Sequence, residues 1–312
     1  MMKKKCLIVD RVHESLFPML EEIGWEFDYK PDVSRAELKT IHEQYSGLIV
    51  RSKTQINQDL LGDTPTIKFV ARAGAGLDNL DLEYLTRKKI HVLHAAEGNR
   101  DAVGEHTVGI LLSLLRNISK ADKEVRAFTW NREANRGAEI MGKTIGIIGY
   151  GNMGQGFAKR LSGFGCKVLA YDKYKTGFSD SVCEQADMDR IYGEVDILSL
   201  HIPLTLETRK MVNGDYLNRF SKNIVLINTS RGEIVDQSDL LVLLESGKIT
   251  GAALDVLENE KMNALNPTDR EIMKKLFQQQ NVIFTPHIAG WTFESHVKIN
   301  VALKDKIKLL NL

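Results

Sequence analysis

The segment Thr144-Ile-Gly-Ile-Ile-Gly149-Tyr150-Gly151-Asn152-Met153-Gly154 constrains the fold more than any other stretch of this 312-residue chain. It reads as a short apolar strand running into Gly-x-Gly-x-x-Gly, with helix-compatible residues from Gln155 to Ser162 behind it. A second apolar strand follows and ends in Asp172, about 20 residues beyond the glycines. The three glycines have separate physical uses. Gly149 permits a tight turn, Gly151 lets a pyrophosphate approach the backbone, and Gly154 lets the helix lie close to the strand. The first amides of that helix then point at the pyrophosphate of a dinucleotide. Asp172 can accept hydrogen bonds from a ribose diol and repels a 2′-phosphate, which favours NAD over NADP. Lys173 and Lys175 just past it pull the other way. NAD is the expected cofactor.

The rest of the chain repeats the same grammar. Short β-branched apolar runs alternate with helix-like stretches at Cys6–Asp10, Gly47–Arg51, 67–71, His91–His94, Thr144–Gly149, Lys167–Asp172, Val195–His201, Asn223–Asn228, Ile249–Val256 and Asn281–Thr285. Continuous apolar strands separated by helices indicate parallel sheets covered on both faces, so the expected class is α/β. At roughly 150 residues per domain the length suggests two domains. Two amphipathic helices mark the boundary. One, over 99–118, carries Val103, Thr107, Ile110, Leu111, Leu114, Leu115 and Ile118 on one stripe, and precedes the polar stretch Ala121 to Glu139. The other, over 294–312, carries Ile299, Leu303, Ile307 and Leu310. A tail helix arriving after the last strand of a second sheet can return to the first domain. The expected organisation is two doubly wound parallel-sheet domains: a flavodoxin-like substrate domain, 1–95 plus 290–312, interrupted by a Rossmann NAD-binding domain, 96–289.

Composition excludes several classes. Net charge is +1, which gives no global field to attract nucleic acid or an anionic membrane. The longest nearly unbroken apolar stretch, Val108 to Leu115, is far short of the roughly 20 residues that span a bilayer. Lys3, Lys4 and Lys5 resemble the start of a secretion signal, but Asp10 closes the apolar run behind them too soon, and they read as the lead-in to a first strand. Cys6, Cys166 and Cys183 are odd in number and lack zinc-ligand spacing, which suits reduced thiols in the cytoplasm and predicts no metal.

Three ionisable residues follow three late strands. Arg231 lies in Asn228-Thr229-Ser230-Arg231-Gly232, Glu260 in Asp255-Val256-Leu257-Glu258-Asn259-Glu260, and His287 in Thr285-Pro286-His287-Ile288-Ala289-Gly290. In an open parallel sheet the carboxyl ends of the strands share one rim, where ligands bind. An Arg can grip a carboxylate and polarise a carbonyl, a His can exchange a proton near neutrality, and a Glu beside it can fix the ring. That set suits hydride transfer at a 2-hydroxy or 2-keto acid. Glu258 competes with Glu260 for the third place.

Over nearly its whole length the chain resembles the D-isomer-specific 2-hydroxyacid dehydrogenase family. The matching segments are Ala71-Arg-Ala-Gly-Ala-Gly-Leu-Asp-Asn79, Gly98-Asn99 with Glu105-His106-Thr107, Gly142 to Gly151, His201-Ile-Pro203, Asn228-Thr-Ser-Arg-Gly232, Ala252-Ala-Leu-Asp-Val256 and Thr285-Pro-His287. The resemblance implies an Arg231–Glu260–His287 triad, with Glu260 selected over Glu258 by its distance from Asp255. It implies cofactor contacts at Asn152, Met153, His201, Ile202, Pro203, Thr229, Ser230, Asp255 and Gly290, beside Gly149, Gly151, Gly154 and Asp172. It also implies a homodimer joined mainly through the cofactor domains. Two departures stand out: Lys261 replaces the usual proline after the glutamate, which implies a looser loop at Glu260, and Trp291 replaces a small residue after Gly290, which implies a narrower pocket beside His287.

Within the family the pattern is most similar to members acting on 3-phosphoglycerate. Arg51-Ser52 and Arg72-Ala73-Gly74 match segments lining the substrate pocket there, and Trp130-Asn131-Arg132 matches a segment through which a neighbouring subunit contributes an arginine. Arg51, Lys53 and Arg72 would form a cationic end for a second anionic group, unless they are solvated strand-end charges. Other 2-keto acids, such as glyoxylate or hydroxypyruvate, and a cofactor-sensing corepressor role are the alternatives. At 312 residues, feedback through C-terminal regulatory domains like those of longer relatives is not expected.

Overall fold

The pattern of apolar residues along each strand explains why two sheets form and why both are covered on each face. The structure, a computed structural model, describes residues 4–312, so Lys3 lies outside the described residues. Two compact units are present, one of residues Met1–Arg100 and Trp291–Leu312, the other of Asp101–Gly290. The division falls inside the helix Ala96–Leu115 and immediately after Gly290.

The discontinuous unit holds five parallel strands: β1 (Lys5–Ile8), β2 (Glu26–Tyr29), β3 (Gly47–Val50), β4 (Phe69–Arg72) and β5 (His91–His94). Their order, β2-β1-β3-β4-β5, is the flavodoxin-like arrangement. Successive side chains leave opposite faces. Cys6, Ile8, Ile49, Phe69 and Ala71 enter one core, while Leu7, Val9, Leu48, Val50 and Val70 enter the other. The tail helix Phe293–Leu309 closes the first of these with Ile299, Leu303 and Ile307. Its start is fixed by a capping box between Thr292 and Ser295. Asn300 ties it to the first loop by donating to His13 O at 3.0 Å and Ser15 Oγ at 2.9 Å. Gly98 lies so near that a Cβ there would stand 2.5 Å from the Ile299 amide nitrogen.

The continuous unit holds seven parallel strands: β6 (Thr144–Ile148), β7 (Lys167–Tyr171), β8 (Glu184–Gln185), β9 (Ile197–Leu200), β10 (Ile224–Asn228), β11 (Ile249–Leu254) and β12 (Val282–Phe284). Their order is β12-β11-β10-β9-β6-β7-β8, a Rossmann sheet with one further strand and its switch point between β6 and β9. Here too alternation serves two cores: Ile145, Ile147, Ile197, Val225 and Ile227 on one side, Leu198, Leu200, Leu226 and Leu254 on the other.

Two strands escape the sequence pattern. β2 is an edge strand of alternating polar and apolar residues, and β8 is a two-residue edge pair. The polar stretch after the long helix also contains a further helix, Ile118–Arg126, entered through Asn117 in the left-handed region (φ 54°) and burying none of its residues. Some sequence-predicted strands start early, at Ile67, Val195, Asn223 and Asn281, and several run past the paired residues at the carboxyl end, into Asp10, Arg51, Gly149, Asp172, His201 and Thr285. These carboxyl-end positions carry the candidate site.

Candidate active site

The glycine turn comes first, because its three glycines are required for three different reasons. Gly149 has φ +92°, and a Cβ there would stand 2.4 Å from His201 O. A Cβ on Gly154 would stand 2.1 Å from Gly149 O, so the helix Asn152–Leu161 sits hard against β6. A Cβ on Gly151 meets nothing within 4 Å, which leaves its backbone open to a bound group. Gly151 is also the N-cap residue of that helix, with Asn152 and Met153 in its first turn. An approachable turn on a helix N-terminus is what a pyrophosphate needs.

Asp172 stands one residue past β7 and braces this turn. It accepts from the Tyr150 amide at 2.8 Å through Oδ2, and from the Tyr174 and Lys175 amides at 2.9 and 3.1 Å through Oδ1. Both neighbouring lysines have partners. Lys173 pairs with Glu207, and Lys175 Nζ donates to Tyr150 O at 3.2 Å.

On the other side of the switch point, the His201 amide donates to Ile148 O at 2.8 Å. Its ring is enclosed, with Nε2 2.9 Å from Ser199 Oγ and the Phe157 ring centroid at 5.5 Å. Burial pushes the imidazole down to about 3. Ile202 is partly buried beside Gly149, and Pro203 is exposed.

The loops after β10, β11 and β12 carry the ionisable trio. After β10, Asn228 is buried and its Oδ1 accepts from the Ser230 amide at 3.0 Å and Ser230 Oγ at 2.8 Å. Its Nδ2 donates to Arg231 O at 2.9 Å. The turn that presents Arg231 is thereby pinned from below, and Arg231 Nη1 donates to Ser230 O at 2.7 Å. Thr229 is buried against Thr107 of the long helix, hydroxyl to hydroxyl at 3.3 Å.

After β11, Asp255 has a fully buried side chain. Its Oδ1 accepts from Thr285 Oγ1 at 2.5 Å and the Ile288 amide at 2.9 Å, and its Oδ2 accepts from the Ala289 amide at 2.8 Å. His106 Nε2 lies 3.5 Å from Oδ1. Burial alone would raise this carboxyl, but hydrogen bonds from His106, Thr285 and the two amides outweigh it and hold it below the usual range. Asp255 therefore faces the loop after β12 and shapes it. The His287 amide completes the turn by donating to Asp255 O at 2.7 Å, and His287 takes a left-handed φ of 55°.

That turn presents His287 to Glu260. Nδ1 lies 2.9 and 3.1 Å from the two carboxylate oxygens. Glu258, the competing acid, pairs instead with Lys210 at 2.7 Å. Lys261 in place of proline does not separate the pair, since the loop is folded locally by Lys261 N to Asn259 Oδ1 at 3.0 Å and Met262 N to Glu260 O at 3.1 Å. A carboxylate only accepts, so Nδ1 carries a proton and Nε2 is left to exchange one.

In the discontinuous unit, Arg51 and Ser52 line one pocket together with Asp10, Lys53 and Trp291. Arg72, one strand over and paired in register with Val50, is not among its lining residues. Its guanidinium folds over Gly74, where a Cβ would stand 1.7 Å from Nη1. Ala73 is buried. Arg132 is exposed just ahead of the short 3-10 turn Glu133–Asn135, and Gly290 closes the loop after His287. Sequence reasoning gave no role to Asn228 or His106, although both lie inside segments that carried the family resemblance.

Comparison with known proteins agrees with this architecture. Residues 108–289 match the model of the D-isomer specific 2-hydroxyacid dehydrogenase, NAD binding domain. A hydroxypyruvate reductase of Thermotoga maritima is 37% identical over 275 residues, 88% of either chain. A D-3-phosphoglycerate dehydrogenase of Synechocystis is 32% identical over 306 residues, 97% of this chain but 53% of that one. The chain thus spans about half the length of that second relative. The crystal structure of a D-lactate dehydrogenase from Aquifex aeolicus superposes with a TM-score of 0.82 at 27% identity, covering 98% of this chain and 95% of that one. The chain belongs to the D-isomer specific 2-hydroxyacid dehydrogenase family, and it takes a nicotinamide cofactor.

The buried neutral His201 gives stability a signed dependence on pH. Its folded value lies below the ordinary 6.5, so between the two values the unfolded chain binds more protons. The stabilisation is complete above about pH 6.5 and is lost as pH falls, at about 1.4 kcal/mol per pH unit. Urea unfolding at pH 7 and pH 5 checks this. The wild type should lose about 2 kcal/mol more than His201→Gln over that interval; equal losses would mean the imidazole is not held neutral.

Proposed function

We propose that the protein interconverts 3-phosphoglycerate and 3-phosphohydroxypyruvate, with NAD as the cofactor. The observation that carries the reaction is the contact between His287 Nδ1 and Glu260, which leaves Nε2 as the exchanging nitrogen. The nicotinamide, when bound, takes or supplies the hydride at C2. Arg231 grips the substrate carboxylate with its planar fork and polarises the oxygen on C2. His287 removes the hydroxyl proton in oxidation and returns it in reduction, and Glu260 offsets the charge the ring acquires. The nucleotide is assigned to the unit Asp101–Gly290.

NAD rather than NADP is supported by Asp172 and by the pairing of Lys173, which could otherwise meet a 2′-phosphate, with Glu207. A phosphorylated substrate is supported by Arg51, whose guanidinium pairs with no carboxylate among the described residues. A second reading, reduction of hydroxypyruvate, is favoured by the Thermotoga maritima relative, which matches over 88% of both chains. A homodimer through the continuous unit is supported by Ile118, Val125, Phe128, Trp130 and Met141, large apolar side chains left exposed within residues 118–141, the stretch that contains Arg132. Three free cysteines suit the cytoplasm.

The deciding assay follows cofactor oxidation with phosphohydroxypyruvate, hydroxypyruvate, glyoxylate and pyruvate, each with NADH and with NADPH. The expected result is at least tenfold higher kcat/KM for the phosphorylated acid, with NADH preferred. Equal or better rates with the unphosphorylated acids would overturn the substrate assignment and favour the second reading. His287→Ala should retain cofactor binding and lose turnover by roughly 10²–10⁴. Undiminished turnover would remove His287 from the mechanism.

A further inference from the structure

Trp291, the departure from the family pattern that the reaction leaves unexplained, has a partner in the structure. Its indole lies under the Arg51 guanidinium, ring centroid to guanidinium carbon 4.0 Å. The same indole meets the His296 ring edge-on at 4.9 Å and 83°. Arg51 Nη2 lies 3.2 Å from His296 Nε2. Because an arginine only donates, His296 accepts at Nε2 and its ring proton sits on Nδ1. Burial first, then the charges of Arg51 and His13, hold the His296 imidazole below its ordinary range, which suits that acceptor role.

The surrounding charges are already committed. Asp10, the nearest carboxylate, spends its oxygens on the amides of Arg51 and Thr54, at 2.6 and 3.4 Å, and on Thr54 Oγ1 at 2.6 Å. Arg11 pairs with Asp32 at 3.6 Å, and Lys53 Nζ donates to Pro31 O at 3.0 Å. Arg51 is thus a half-buried cation held by a ring face and a neutral imidazole, with no carboxylate partner among the described residues. A stack on an aromatic face occupies none of the in-plane N–H donors, so the fork remains able to bind an anion in two-point fashion.

We propose that Trp291 and His296 are positioning residues that hold Arg51 as a receptor for a second anionic group on the substrate, a phosphate ester rather than a neutral hydroxyl. This rests on the substrate reading above and adds the device that sets it. Trp291 is more than half exposed, so truncating it opens no core.

The test compares wild type, Arg51→Ala, Trp291→Ala and Trp291→Phe in NADH oxidation with phosphohydroxypyruvate and hydroxypyruvate. The readout is the ratio of the two kcat/KM values. Trp291→Ala should lower that ratio about tenfold, through KM for the phosphorylated acid, and Trp291→Phe should restore most of it by restoring a ring face. If Arg51→Ala abolishes the preference while Trp291→Ala keeps it within twofold of wild type, the positioning role is overturned and the substrate assignment stands. A wild type without preference for the phosphorylated acid overturns both.

Discussion

The site hangs on one buried carboxylate. Asp255 lies just past β11 with no side-chain exposure, and it gathers a hydroxyl, two backbone amides and a histidine from two other parts of the chain. A carboxylate so placed is tolerable only because each oxygen is satisfied, and the cost of leaving it unsatisfied forces the loop after β12 into one shape. His287 then adopts a left-handed backbone, which a non-glycine residue keeps only where its surroundings demand it. The contact with Glu260 follows from that shape. The paired His287 and Glu260, at 44 and 46% side-chain exposure, are therefore positioned by a group that never reaches the surface.

The same logic of buried support recurs at the other strand ends. Asn228 pins the turn before Arg231 through hydrogen bonds at its own side chain. Asp172 braces the glycine turn through the Tyr150 amide, and its own loop through the Tyr174 and Lys175 amides. In the discontinuous unit Asp10 does this for the turn at Arg51 and Thr54. In each case a short polar residue at or just past the end of a parallel strand accepts from one or more backbone amides of a turn and fixes it. Parallel sheets supply such positions in a row, because all their strands end at one rim.

Much of this was legible in the sequence because it is local. Glycine spacing, apolar runs and the acid at the end of β7 are properties of neighbouring residues, and they specified the nucleotide-binding half and both sheets. Two strands were not legible: β2 alternates polar and apolar residues at an edge, and β8 is too short to carry a pattern. The choice between Glu258 and Glu260 depended on family resemblance, since nothing within the loop shows that Lys210 takes the first and His287 the second. The stack of Trp291 on Arg51 was beyond any local reading, because the arginine and the helix that follows the tryptophan meet across 245 residues of chain.

Amide hydrogen exchange across residues 285–289, in wild type and Asp255→Asn, tests the central claim most directly. An asparagine keeps the size but offers only one acceptor oxygen, so at least one of the Ile288 and Ala289 amides must face an N–H. Protection at those two amides should fall by about tenfold or more, with the glycine turn at Gly149–Gly154 unaffected. Unchanged protection at Ile288 and Ala289 would contradict the account, and the loop that presents His287 would then owe its shape to something other than Asp255.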